Sequence, residues 1–285
     1  MTLEELVRAE LAVAVEPRVS AMAEAIAAKH GAASRAVLFY GSCLREAKLD
    51  GLMLDFYLIV SDYRAAYSKR WLATANRLIP PNVFPFDAGG LAAKYAVLSE
   101  ADFHRFIGPE TRNVSVWGRF AQPSRLVWAC DQAARDKVVV AVARAAPTLL
   151  GAAMPYVRAG GDELDIWRQA FALTYSAELR AERKTRSASV VDADPDRYRA
   201  FTAPALAAAT PTRSSWGRRR IEGKALSVVR LAKASATYAG GVEYIVWKIN
   251  RHAGTSIELK QWQRDHPLLA AISLLPRLLR SGAIR

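Results

Sequence analysis

Residues 37–60 read VLFYGSCLREAKLDGLMLDFYLIV. An apolar run, Val37 to Tyr40, stops at Gly41-Ser42, and a second, Leu52 to Val60, carries one carboxylate, Asp55, in its middle. The spacing predicts two strands joined through a turn. A strand ending in Gly-Ser leaves free the backbone N–H groups that open the next helix, and these groups with the Ser42 hydroxyl can hold anionic phosphates. A carboxylate on the neighbouring strand can hold Mg²⁺ against the same phosphates. A Gly-Ser after an apolar run is equally an ordinary strand and turn. Asp55 narrows the choice, because an isolated acid among apolar neighbours is costly unless it is paired or bound to metal.

Composition bounds the partners. Of 285 residues, 52% are hydrophobic and 24% charged, the proportions of a globular chain with a real core. Forty Lys and Arg against 27 Asp and Glu give +13, which favours nucleotides, nucleic acid or an acidic membrane face. Cys43 and Cys130 have no zinc-site spacing and imply no disulfide framework, so a reducing compartment is expected. The acidic opening, with Leu3, Leu6, Val7 and Leu11 on one side of a helix, lacks the marks of a signal or transit peptide. The expected setting is the bacterial cytoplasm. The longest uncharged apolar run, Ala145 to Val157, falls short of the ~20 residues that span a bilayer.

Around the central stretch, residues 1–30 read as one or two helices ending near His30-Gly31. Asp62 to Leu78 is helical and is ended by Pro80-Pro81. Phe84 to Gly90 reads as a loop, Ala93 to Leu98 as a third strand bearing Lys94, and Ser99 as the cap of a helix to Phe106. Arg119 has a planar fork suited to phosphate oxygens, whereas Trp117 beside it reads as core. Leu126 to Cys130 reads as a strand leaving a first domain, 1–130. From Asp131 the pattern is helical: Ala133 to Ala145, Thr148 to Ala159, and Leu164 to Glu182 with Asp162 as its N-cap. Arg180 stands in the basic end of the last helix, and Ala200 to Thr212 reads as a linker or short helix.

A second domain, 131–215, is therefore expected to be helical, and 216–285 to hold basic helices. Trp216 opens a run with Lys224, Arg230 and Lys233 at helical spacing, which suits an anionic surface. In the tail, Leu268, Ile272, Leu275 and Leu279 fall on one side of a helix, with Arg277 and Arg280 among polar positions. Such a helix can lie in the headgroup layer of a membrane, and a core helix shares the pattern.

Ordered segments carry a resemblance to a known family. Tyr40-Gly41-Ser42 with Met53-Leu54-Asp55-Phe56 and Val60 resembles the mitochondrial-type phosphatidate cytidylyltransferases, the mitochondrial translocator assembly and maintenance family, within the polymerase β-like nucleotidyltransferase superfamily. Lys94-Tyr95-Ala96-Val97-Leu98-Ser99 resembles that family's KYGVIS segment. Gly118-Arg119-Phe120 with Gln122-Pro123 resembles GRLQKP, and Tyr175-Ser176 with Arg180 resembles YSGDFR. Gly223-Lys224 through Arg230 resembles the basic C-terminal region. Two positions depart. Cys43 stands where the family loop has a glycine, and a residue with a Cβ resists positive φ. Tyr57 stands where the superfamily pattern has a second acid.

The resemblance implies an α+β chain: a nucleotidyltransferase-fold mixed sheet with flanking helices, then a mostly helical, winged-helix-like domain and an amphipathic C-terminal helix. It implies transfer of CMP from CTP to phosphatidate, giving CDP-diacylglycerol and pyrophosphate, with Mg²⁺ on Asp55. Tyr40, Gly41, Ser42, Lys94 and Arg119 would bind the nucleotide, and Arg180 and Lys224 the lipid phosphate or CTP. The partners are then CTP, phosphatidate and an anionic inner-membrane surface, with no nucleic acid expected. The attacking phosphate is already anionic, so no general base is required and a reduced set of acids is chemically tolerable. Three alternatives stay open: a nucleic-acid-binding protein on a decayed transferase fold, a silent membrane-associated scaffold, and a transferase with another nucleotide or acceptor.

Overall fold

The computed structural model describes residues 1–46, 49, 51–157, 161–178, 190–212, 215–237, 258 and 260–262. The protein is α+β, built on one mixed sheet in the order β3-β4-β2-β1-β5. Its strands are β1 (Ser34–Tyr40), β2 (Met53–Val60), β3 (Asn82–Ala88), β4 (Leu91–Ser99) and β5 (Ser124–Ala129). β2 and β4 run parallel, and the other neighbours run antiparallel.

The central strands are apolar on both sides because helices cover both faces. On one face Val37, Phe39, Phe56, Leu58 and Val97 pack with Val19, Met22 and Ile26 of α2 (Pro17–Ala28). On the other, Leu38, Tyr40, Tyr57, Ile59, Ala96 and Leu98 pack with Trp117, Phe120, Leu149, Trp167 and Phe171. That second cluster draws on α1 (Leu3–Leu11), α3 to α5 lying outside it at Ser42–Glu46, Tyr63–Ala66 and Arg70–Leu78. It continues through α6 (Glu100–Ile107), α7 (Trp117–Phe120), α8 (Gln132–Ala143), α9 (Ala145–Ala153), α10 (Asp165–Ala177), α11 (Pro195–Ala208) and α12 (Trp216–Thr237). The helices after Asp131 thus share one core with the sheet. Asp131 marks the transition itself: its side chain caps α8 by accepting from the Ala134 N–H at 2.6 Å.

Several expectations are corrected. Phe84 to Ala88 belongs to edge strand β3, where Pro85 costs no ladder bond that a neighbour needs. Gly89 and Gly90, both at positive φ, then turn the chain into β4. The helical stretch before Pro80 is two helices, α4 and α5, with Tyr67 extended between them. α10 starts at Asp165 with Leu164 in the cap position and no side-chain cap, so Asp162 does not serve as one. Of the linker or short helix expected after Ala200, the helix forms: it is the body of α11, which begins earlier because Asp194 caps it by accepting from Arg197 N–H. Within 131–215 no strand occurs among the described residues, so a wing is not among them. Residues Gln132–Tyr156 are helical and apolar enough by length and composition to cross a membrane, yet 72% of their most apolar window is buried inside the protein, as in a core helix.

Candidate active site

The register of the central strands brings the predicted residues together. Tyr40 at the end of β1 is paired with Asp55 on β2, and Asp55 with Lys94 on β4. Side chains of register partners point to the same face, so both Asp55 and Lys94 rise toward the helices α7 and α10. Lys94 Nζ lies 2.9 Å from Asp55 Oδ1, with the two side chains 25% and 21% exposed. The pair is sheltered but reachable from solvent.

The turn after β1 closes on the same carboxylate. Gly41 has φ +100°, and a Cβ placed there would stand 3.1 Å from Asp55 Oδ2. Glycine is required twice over at this position, by the backbone angle and by the close approach. The doubt attached to Cys43 is removed by the same geometry. The positive φ falls on Gly41, while Cys43 sits inside α3, buried, with its Sγ donating to Met53 O at 3.4 Å. Ser42 opens that short helix and is part-buried.

Arg119 on α7 completes this end of the sheet. Its Nη1 donates to the Tyr57 hydroxyl at 3.1 Å and to Ser115 O at 3.4 Å, and its guanidinium carbon lies 5.2 Å from the centre of the Tyr40 ring. Burial opposes its charge, but Tyr40, Tyr57, Glu178 and Asp55 together outweigh burial, so its pKa is raised and it stays a cation. Tyr57, two residues after Asp55, packs its ring 5.4 Å from Tyr40 and 5.3 Å from Phe120. A phenol hydrogen-bonded to Arg119 therefore stands on the same face of β2 as Asp55.

Helix α12 adds residues that the sequence reading did not place in the site. Gly223 lets it approach α10 so closely that a Cβ there would fall 2.2 Å from Ala177 O. About two turns further on, Arg230 donates to Pro80 O at 2.8 Å and to Ser115 Oγ at 2.7 Å. Lys233 donates to Pro81 O at 2.7 Å and also to Ile79 O. The signal available in sequence was periodic: Trp216, Arg219, Gly223, Arg230 and Lys233 recur on one side of a helix.

That side faces inward, which corrects the reading of α12 as a surface helix led by tryptophan. Trp216 is 2% exposed, and its Nε1 donates to Ala152 O at 3.0 Å. Arg219, also buried, donates to the carbonyls of Thr111 and Arg112 at 3.2 and 2.8 Å. Lys224 is exposed on the outer side of α12. Arg180 and the tail residues Leu268, Ile272, Leu275, Arg277, Leu279 and Arg280 lie outside the described residues.

The donor set bears on which cation the site could hold. Among the described residues no three His, Cys, Asp or Glu side chains gather at one place, and Asp55 already has Lys94 on an oxygen. This set does not suit an ion resident in the protein alone. It does suit Mg²⁺ that arrives on nucleotide phosphates, which with water supply most of the octahedral oxygen ligands.

No family model matches the chain, and no curated protein matches it. Among solved structures, a nucleotidyltransferase-like protein from Exiguobacterium sibiricum 255-15 is similar at 11% identity, covering 93% of this chain and 92% of that one with a TM-score of 0.29. So slight a likeness assigns no activity to this chain.

Proposed function

We propose that the protein is a nucleotidyltransferase that moves CMP from CTP to phosphatidate, releasing pyrophosphate. The observation that carries nucleotidyl transfer is the approach of the Gly41 backbone to Asp55 beside Lys94. A chain turn without side-chain bulk, a carboxylate and a lysine meet at one sheltered edge of a sheet, which is the equipment for holding a polyphosphate and its cation. The choice of CTP and phosphatidate is supported by the ordered resemblance of the segments at 40–60, 94–99, 118–123 and 175–180 to the cytidylyltransferase family.

In this reading Asp55 would hold the magnesium of the nucleotide, which would supply charge neutralisation on the phosphates. Lys94 has two states open to it: paired with Asp55 in the free protein, or turned to a phosphate oxygen once the carboxylate has its cation. Arg119, anchored by Tyr57 and Ser115, presents its remaining N–H groups to phosphate oxygens. A phosphate oxygen of the lipid attacks the α-phosphorus of CTP. The new P–O bond joins lipid phosphate to CMP, the α–β anhydride bond breaks, and pyrophosphate leaves with the electron pair. No proton must be removed from the nucleophile, so orientation and charge neutralisation are the protein's contribution.

The test is one assay: Mg²⁺, labelled CTP and vesicles containing phosphatidate, with ATP, GTP and UTP alongside and Asp55→Asn as the control protein. Labelled CDP-diacylglycerol from the wild type but not from the variant is expected. Turnover with another nucleotide alone would move the reading to a different transferase, and equal turnover by Asp55→Asn would remove Asp55 from the chemistry.

A further inference from the structure

Three cations in the site have no acid paired to them. Arg119 bonds Tyr57 Oη and Ser115 O, Arg230 bonds Pro80 O and Ser115 Oγ, and Lys233 bonds the carbonyls of Ile79 and Pro81. Every one of these acceptors is neutral, and none of the three cations makes an ion pair among the described residues. Arg119 and Arg230 meet on the same residue, Ser115, so their charges are held close together. The carboxylates in electrostatic reach are Asp55, already held by Lys94, and Glu178, whose charge favours the cationic form of Arg119 and Arg230.

Holding α12 against the loop at 79–81 does not require this arrangement. Neutral donors would bond the same carbonyls without the cost of crowding like charges in a part-buried place. The crowding is felt: burial, and then Arg230, lower the pKa of Lys233 to about 7. Burial likewise lowers that of Arg230, with Arg119 adding to the effect. A bound anion offsets both terms, and guanidinium forks with an ammonium beside them match the tetrahedral oxygens of a phosphoryl group.

We propose that Arg119, Arg230 and Lys233 form a phosphoryl-binding site, joined to the Asp55 side of the sheet through the bond of Arg119 to Tyr57, and filled by the phosphomonoester of the acceptor or by the terminal phosphates of the nucleotide. That an anion binds follows from the charges alone; which anion arrives rests on the transfer reading above. Ser115 is the shared hinge of the site, since it accepts from one arginine through its carbonyl and from the other through its hydroxyl.

The experiment uses the full chain in EDTA, so that neither turnover nor Asp55-bound cation is needed. Binding of inorganic pyrophosphate is measured by calorimetry, with soluble short-chain phosphatidate and CTP as competitors. Wild type should bind, and Arg230→Gln and Lys233→Gln should each weaken binding about tenfold, the scale of one charge-assisted hydrogen bond. Lys137→Gln, exposed on α8, should not. Competition by phosphatidate places the acceptor's phosphate in the site, and competition by CTP places the nucleotide's there. Should the variants fail to fold, amine labelling of the wild type decides: pyrophosphate should protect Lys233 and leave Lys137 unprotected. No binding by the wild type, unchanged binding by folded variants, or equal labelling of Lys233 with and without pyrophosphate would overturn the site. Binding without CTP turnover would instead remove the transfer reading and leave the site standing.

Discussion

Lys94 Nζ stands 2.9 Å from Asp55 Oδ1, and the two residues are register partners on adjacent parallel strands. The pair is set by the sheet and not by a flexible loop, so its coupling should be measurable. In a double-mutant cycle of Asp55→Asn and Lys94→Met, urea unfolding should return an interaction energy of about 1–2 kcal/mol. Both single variants should lose transfer activity while keeping their circular dichroism. A coupling energy near zero would mean that the two side chains do not hold each other in solution.

Gly41→Ala introduces a Cβ at φ +100° and 3.1 Å from Asp55 Oδ2. Strain at such a backbone angle costs about 1–3 kcal/mol, and the crowded carboxylate must also move. Gly89→Ala carries the same kind of strain at φ +56° but meets nothing within 4 Å. Comparison of the two separates backbone from site: both variants should lower the melting temperature, and Gly41→Ala alone should abolish activity.

Gly223→Ala tests how α12 is seated. The added methyl would fall 2.2 Å from Ala177 O, a backbone atom that cannot turn aside. Overpacking of this sort costs about 1–3 kcal/mol. It should also lift Arg230 and Lys233 from Ser115 and the 79–81 carbonyls, so pyrophosphate binding should fall with stability. Retained binding in a destabilised Gly223→Ala protein would show that the cations do not depend on this contact.

Lys233 makes stability depend on pH. Its pKa is lowered from 10.5 to about 7 in the folded protein. Between those values the unfolded chain holds the proton and the folded chain does not, so unfolding free energy rises with pH across that window. Relative to Lys233→Met, the wild type should gain stability between pH 6.5 and 9, as read by urea melts. Parallel curves for the two proteins would return Lys233 to an ordinary lysine.

Trp216→Ala distinguishes a core tryptophan from a membrane anchor. The ring is 2% exposed, packs edge-on against Trp117 at 6.4 Å between centres, and donates its N–H to Ala152. Truncation of a buried tryptophan costs about 3–5 kcal/mol. The melting temperature should therefore drop sharply in the absence of any lipid; a variant as stable as wild type that loses vesicle binding would restore the surface reading.

Local chemistry made much of the fold legible. The apolar runs at 37–40 and 52–60, the second broken only by Asp55, announce buried strands, Ser99 and Asp131 announce helix starts, and Gly41 announces a turn that no larger residue would make. β3 was not legible, because Pro85 argues against a strand unless the strand is known to lie at an edge. The helix over 195–208 was hidden for a related reason: Ala- and Pro-rich composition describes loops and helices alike until Asp194 is seen capping it.

What the sequence determined by itself is the chemistry at each position: a glycine-serine turn, a lone acid between apolar neighbours, a lysine and an arginine in later segments, and an excess of positive charge. What tertiary structure alone decided is which of these meet. Parallel pairing of β2 with β4 joins Asp55 to Lys94 across 39 positions of chain. The close seating of α12 on α10 turns Arg230 and Lys233 inward, where charge and helical spacing had suggested an outward basic surface. Periodicity states that residues share a side of a helix; the direction that side faces is set by packing against partners far away in the chain, and so it appears only in the folded molecule.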